Sequence, residues 1–162
     1  MERFPFEPAD DGQTAAQPHV SIAVVFRGHT DTIRALYDTG SDITHLSQKW
    51  KHAFHVDDSL VPKLPVGGLG KELVYGSLVF VTARMDGHDF NMPVVFHSDN
   101  TTDLFGRHGL GELFLIETDS LLGETRVTWQ QDVETSADRM KKDVLAVAGN
   151  FLPGWDIAPG PA

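Results

Sequence analysis

What most constrains this chain is a repeated pairing of short runs of β-branched and apolar residues with tight-turn signals. Val20-Ser21-Ile22-Ala23-Val24-Val25-Phe26 runs into the turn Arg27-Gly28-His29, and Thr32-Ile33-Arg34-Ala35-Leu36-Tyr37 follows, which predicts a β-hairpin ending at Asp38. Residues 73–84 and 90–96 are strand-like and flank Asp86-Gly87, a strong two-residue turn signal, so a second and longer hairpin is expected there. A third β segment is read from Leu113-Phe114-Leu115-Ile116 and Thr125-Arg126-Val127-Thr128-Trp129 around Gly123. Helical signals are confined to two places. Ser47 stands at a capping position before Trp50 and Phe54, four apart on one face. Ala137, Met140, Val144, Leu145 and Ala148 recur at helical spacing after Thr135 or Ser136, with Gly149 as a stop. The pattern is all-β with short helices.

A length of 162 residues at 41% hydrophobic content suits one packed domain with tails. Residues 1–18, polar and aperiodic from Glu7 onward, are expected to form a flexible arm, 19–129 the body, and 130–162 a helix and irregular tail. The absence of cysteine removes disulfides, thiolate metal ligands and a cysteine nucleophile. A net charge of −10 works against nucleic-acid binding, whose affinity comes from Lys and Arg neutralising phosphates. No apolar run approaches the roughly 20 residues that span a bilayer, so no membrane association is expected. The N-terminus carries neither a basic leader nor an unbroken apolar stretch, and the expected compartment is the cytoplasm.

The eight histidines include His52 and His55 at helical spacing. No His-Glu-x-x-His occurs and no third ligand is apparent, so neither a metal nor another cofactor is expected. Asn100-Thr101-Thr102 fits a glycosylation sequon but, with no secretion expected, reads as coincidence. Ser41 and Ser47 lack the His and Asp partners of a serine hydrolase.

Chemistry concentrates in Ala35-Leu36-Tyr37-Asp38-Thr39-Gly40-Ser41-Asp42-Ile43-Thr44. A carboxylate follows an apolar strand at once, and the next glycine lets the chain turn back and present it at a sheet end. Two further segments accompany it in order: Val66-Gly67-Gly68-Leu69-Gly70 and Leu104-Phe105-Gly106-Arg107. Together the three resemble the retropepsin-like aspartic proteases, namely their active-site loop, the Gly-rich tip of their flap, and the apolar-apolar-Gly-Arg segment that opens their C-terminal helix. The resemblance spans roughly residues 20–129. His108 stands where that family more often has Asp or Asn, and Gly109 and Gly111 weaken the helix expected after it.

The resemblance implies a closed β-barrel with short helices that forms a homodimer, because the chain holds one Asp-Thr-Gly and no second. It implies that Asp38 is the catalytic carboxylate, that Thr39 ties the two loops across the two-fold axis, that Gly40 and Ser41 shape the loop, and that Arg107 pairs with Asp42 to brace it. Gly67, Gly68, Leu69 and Gly70 are expected to cover an extended polypeptide substrate, with Ile43, Leu69 and Val95 lining its pockets. The alternative is a dimerisation or peptide-binding module that keeps the fold without cleaving.

Overall fold

The computed structural model describes residues 1–8, 16–67, 74–97 and 102–148. Along the chain these form β1 (Glu2–Pro5), β2 (His19–Phe26), β3 (His29–Tyr37), β4 (Thr44–Leu46), α1 (Gln48–Ala53), β5 (Lys63–Val66) and β6 (Val74–Met85). Then come β7 (His88–Phe96), β8 (Leu104–Phe105), α2 (Leu110–Leu113), β9 (Phe114–Asp119), β10 (Glu124–Trp129) and α3 (Ser136–Ala148).

The predicted turns set the register of the first two hairpins. Arg27 and Gly28 both take positive φ, 49° and 77°, and so do Asp86 and Gly87. That backbone has the twist of a two-residue hairpin turn and matches the strands it joins. It places Phe26 opposite His29 and Met85 opposite His88. Strand order β2-β3-β8-β4-β7-β6 closes on itself where β6 returns to β2, with Ala23 opposite Arg84 and Val25 opposite Thr82. The result is a closed all-β barrel, and β5 extends β6 on one side. Closure leaves the barrel strands with no open edge.

Alternation fills the interior. Val20, Ile22 and Val24 from β2, Ile33 from β3, Val79 and Val81 from β6, and Met92 and Val94 from β7 are buried together. Phe54, at the end of α1, is wedged among Phe26 (ring centroids 5.9 Å), Trp50 (6.0 Å) and Phe96 (6.4 Å). Burying a side chain of that size contributes about 2–3 kcal/mol. The intervening residues Leu78, Phe80 and Val95 form a second cluster, against which Met140 and Val144 of α3 pack. The periodicity read for α3 therefore corresponds to a packing face. Thr135 caps it, its Oγ1 accepting the Asp138 amide at 3.1 Å while the Asp138 carboxylate accepts the Thr135 amide at 2.9 Å.

A smaller sheet, β1-β10-β9, lies beside the barrel. Aromatic contacts join the two, Phe90 to Phe114 and Phe114 to Trp129 at 5.4 Å each, with His88 stacked on Trp129 at 3.8 Å.

Some details differ from the sequence reading. Residues 1–18 were expected as an arm, yet Glu2–Pro5 form a strand on β10. Phe4 packs on the core, Arg3 pairs with Glu124 at 2.7 Å, and the Met1 ammonium pairs with Asp86 at 2.6 Å. Glu7 and Gln17 then bridge, and residues 9–15 lie outside the described residues. At the start of α1 the Ser47 hydroxyl makes no capping bond. Asp103, distant in sequence, accepts the Ser47 amide at 2.7 Å and the Trp50 indole N–H at 2.9 Å. No described helix is long and apolar enough to cross a membrane.

Candidate active site

β3 delivers Asp38. Leu36 and Tyr37 pair in parallel with Leu104 and Phe105 of β8, and the ladder continues one residue further, the Asp38 amide donating to the Phe105 carbonyl at 2.9 Å. The chain then reverses. The Ser41 amide donates to the Asp38 carbonyl at 3.2 Å, the Gly40 amide to Asp38 Oδ1 at 2.8 Å, and the Ser41 hydroxyl to the Ile43 carbonyl at 2.7 Å. Asp38 is half-buried, whereas Thr39 and Gly40 are exposed on the single chain. An amide aimed at one carboxylate oxygen fixes its orientation.

A second segment supports the loop from behind. The Arg107 amide donates to the Ser41 carbonyl at 2.9 Å and the His108 amide to the Asp42 carbonyl at 2.8 Å, while the Gly106 amide reaches Thr44 Oγ1 at 3.0 Å. The Arg107 guanidinium forms an ion pair with the Asp42 carboxylate. Gly106 is required by space, since a Cβ there would sit 2.4 Å from the Ile43 carbonyl carbon. α2, which follows, is only four residues long, as Gly109 and Gly111 lead one to expect. Beside Asp38, burial pushes the Tyr37 phenol up, and the nearby Arg107 partly opposes this.

Next to the loop lies an open cleft of about 230 Å³. Residues 40–43 form one wall and Leu64, Pro65, Val66 and Gly67 another, with His45 and Val95, register partners in the parallel β4–β7 pair, completing the lining. Burial lowers the His45 imidazole, His97 adds to this, and Asp38 opposes both. The two histidine rings meet edge-on at 5.4 Å. The wall made by β5 is anchored at its foot. Burial alone would raise the Asp58 carboxyl, but hydrogen bonds from Lys51, Ser77 and Lys63 (3.1 Å) outweigh it and hold the group well below the usual carboxylate range.

At the level of sequence alone, no family model matches this chain and no curated relative is found. Among solved structures it is similar to a retropepsin-like aspartic protease from Rickettsia conorii. That match has a TM-score of 0.55 at 13% identity and covers 79% of this chain and 91% of that one. The fold is retropepsin-like. EIAV protease complexed with the inhibitor HBY-793 also matches, at a TM-score of 0.45 and 18% identity, over 59% of this chain and 86% of that one.

Within this retropepsin-like barrel, Asp38, Thr39, Gly40, Ser41, Asp42 and Arg107 come together at one end of β3, and Gly67 faces them across the cleft. Gly68, Leu69 and Gly70, the rest of the expected flap tip, lie outside the described residues. Ile43 and Val95 line the cleft. His52 lies on α1, and the ring of His55 meets that of His29 at a tilt of 49°, with centroids 5.1 Å apart. Sequence reasoning passed over His45 and Leu64, and reached Thr44 only as the end of the active-site stretch. β4 buries Thr44 and Leu46 on either side of His45, but Thr44 is itself polar, so the sequence shows no apolar alternation in these three residues.

Proposed function

We propose that two copies of this chain form an aspartic endopeptidase, in which the Asp38 carboxylates of both subunits face each other across a two-fold axis and activate one water. The observation that carries this reading is the setting of Asp38. It follows a barrel strand at once, one oxygen is held by the Gly40 amide, its loop is braced by Arg107 and the backbone of 106–108, and a cleft opens beside it. Similarity to retropepsin-like structures supports a protease role at the level of fold.

Two carboxylates about 3 Å apart cannot both ionise readily, so the pair holds a single proton. The ionised carboxylate removes a proton from water as its oxygen attacks the peptide carbonyl carbon, and the protonated one donates to the carbonyl oxygen. Collapse of the tetrahedral species returns a proton to the leaving amine, breaks the C–N bond and regenerates the singly protonated pair. The apparent acidities belong to the pair and not to either residue. The neighbouring cleft suits a substrate laid out as an extended strand, with backbone hydrogen bonds supplying affinity and side-chain pockets supplying preference.

The test is incubation of the full chain with an unstructured polypeptide near pH 5, beside Asp38→Asn. Cleavage by the parent that the Asn variant lacks supports the enzyme. Equal inactivity in both, with binding retained, identifies a peptide-binding module.

A further inference from the structure

We propose that the cleft beside Asp38 is a subsite for an uncharged carboxamide side chain, glutamine above all, and that His45 is the residue that selects it. The proposal rests on the reading that this cleft receives polypeptide, and it adds the chemistry of the residue accepted.

One part of the lining is aliphatic, while Gly40, Ser41 and Asp42 of the active-site loop make the other part polar. Ile43, Leu64, Val66 and Val95 face the space and belong to the outer apolar cluster on which α3 packs. A side chain entering here therefore buries an apolar stem. Among these walls His45 contributes an imidazole, and Val95, its register partner on β7, lies beside it. Its ring touches that of His97, and among the described residues no group hydrogen-bonds to it. A ring with polar edges beside these aliphatic side chains gains from a ligand that supplies the missing partners.

The form of the ring decides which ligand. Burial and His97 both disfavour the imidazolium, against the opposing pull of Asp38, and the balance favours the neutral ring, with one nitrogen donating and the other accepting. A carboxamide has the matching donor and acceptor on one planar tip. A methionine or leucine side chain fills a similar space but leaves the ring unpaired. A glutamate side chain would bring a negative charge into a cleft lined by the Asp42 carboxylate, in a chain whose net charge is already −10. The stem of glutamine reaches further than that of asparagine, which ranks glutamine first.

The experiment measures binding and cleavage separately. Three unstructured peptides, identical except for Gln, Met or Glu at each position in turn, are titrated into full-length Asp38→Asn, and then into the same protein carrying His45→Leu or His45→Gln. At one peptide position the Gln form should bind about 10-fold more tightly than the Met form, the yield of one well-made hydrogen-bonded contact. His45→Leu should erase or reverse that ratio, and His45→Gln, which keeps a donor and an acceptor, should retain most of it. Circular dichroism establishes that each variant is folded. Failure of the Gln peptide to bind, a Gln-to-Met ratio of one, or a ratio untouched by His45→Leu overturns the proposal. Cleavage of the same peptides by the Asp38 protein reports on the endopeptidase reading alone. Loss of cutting with a His45-dependent ratio refutes the enzyme and keeps the subsite, and cutting without such a ratio does the reverse.

Discussion

Gly106 has no room for even one methyl group. Its amide bonds to Thr44 Oγ1, and an added Cβ would press on the backbone of Ile43 and Asp42, which have no flexible end to move aside. Gly106→Ala should therefore destabilise the fold by about 1–3 kcal/mol, as overpacking of tight contacts does. It should also displace the loop that carries Asp38, so that activity falls further than the loss of folded protein explains. Urea denaturation alongside a cleavage assay checks this, and an unchanged midpoint would contradict the packing argument. Asp38, Asp42, Gly106 and Arg107 were legible in the sequence because their chemistry is carried by contiguous stretches whose residue types are each constrained. His45 was not. Nothing adjacent announces it, and its meaning comes from β5 and β7, which reach the same cleft from elsewhere in the chain.

Elements joined by tight turns were legible for a local reason: Arg27-Gly28 and Asp86-Gly87 determine strand direction and register within a few residues. β4, β5 and β8 were not, since they are two to four residues long and exist through pairings with distant strands; β5 even contains Pro65, which sequence rules associate with edges. α3 was legible as a helix, though not in its attachment. That attachment runs through Glu112, whose carboxylate accepts the Gly109 amide at 3.0 Å, the Ser136 amide at 2.9 Å and the Ser136 hydroxyl at 2.7 Å. Because α3 packs on the apolar cluster shared by the cleft walls, loosening it should be felt there. Glu112→Ala should cost about 1–3 kcal/mol, the penalty of leaving such donors unpaired. It should also speed amide exchange across residues 136–148 more than in β2 or β3. Uniform exchange changes would show that Glu112 is not a joint of this kind.

For the whole molecule, charge state links stability to pH. Burial raises the Glu112 and Asp138 carboxyls, but amides and side chains of Gly109 and Ser136, and of Thr135 and Asn91, outweigh it. Both groups, like Asp58, are held below their ordinary values. A carboxyl depressed by folding adds stability above its unfolded value, near 4, and that stability is lost as pH falls through the folded one. His45 is lowered, so the unfolded chain takes its proton first and stability declines gently once pH drops past about 6.5. Thermal midpoints from pH 8 to 3 should be highest near neutral, slip below 6.5 and fall steeply under 4, with the upper step absent in His45→Leu. The dependence of the site on two chains can also be counted. Each 17.8 kDa chain offers one Asp-Thr-Gly, so an active pair needs two parent copies. If Asp38→Asn chains are mixed in and subunits exchange freely, the share of parent chains with a parent partner falls to about one half at equal amounts and to about one tenth at nine-fold excess. Activity per parent chain should follow that curve, whereas a site complete within one chain would be indifferent to the added protein.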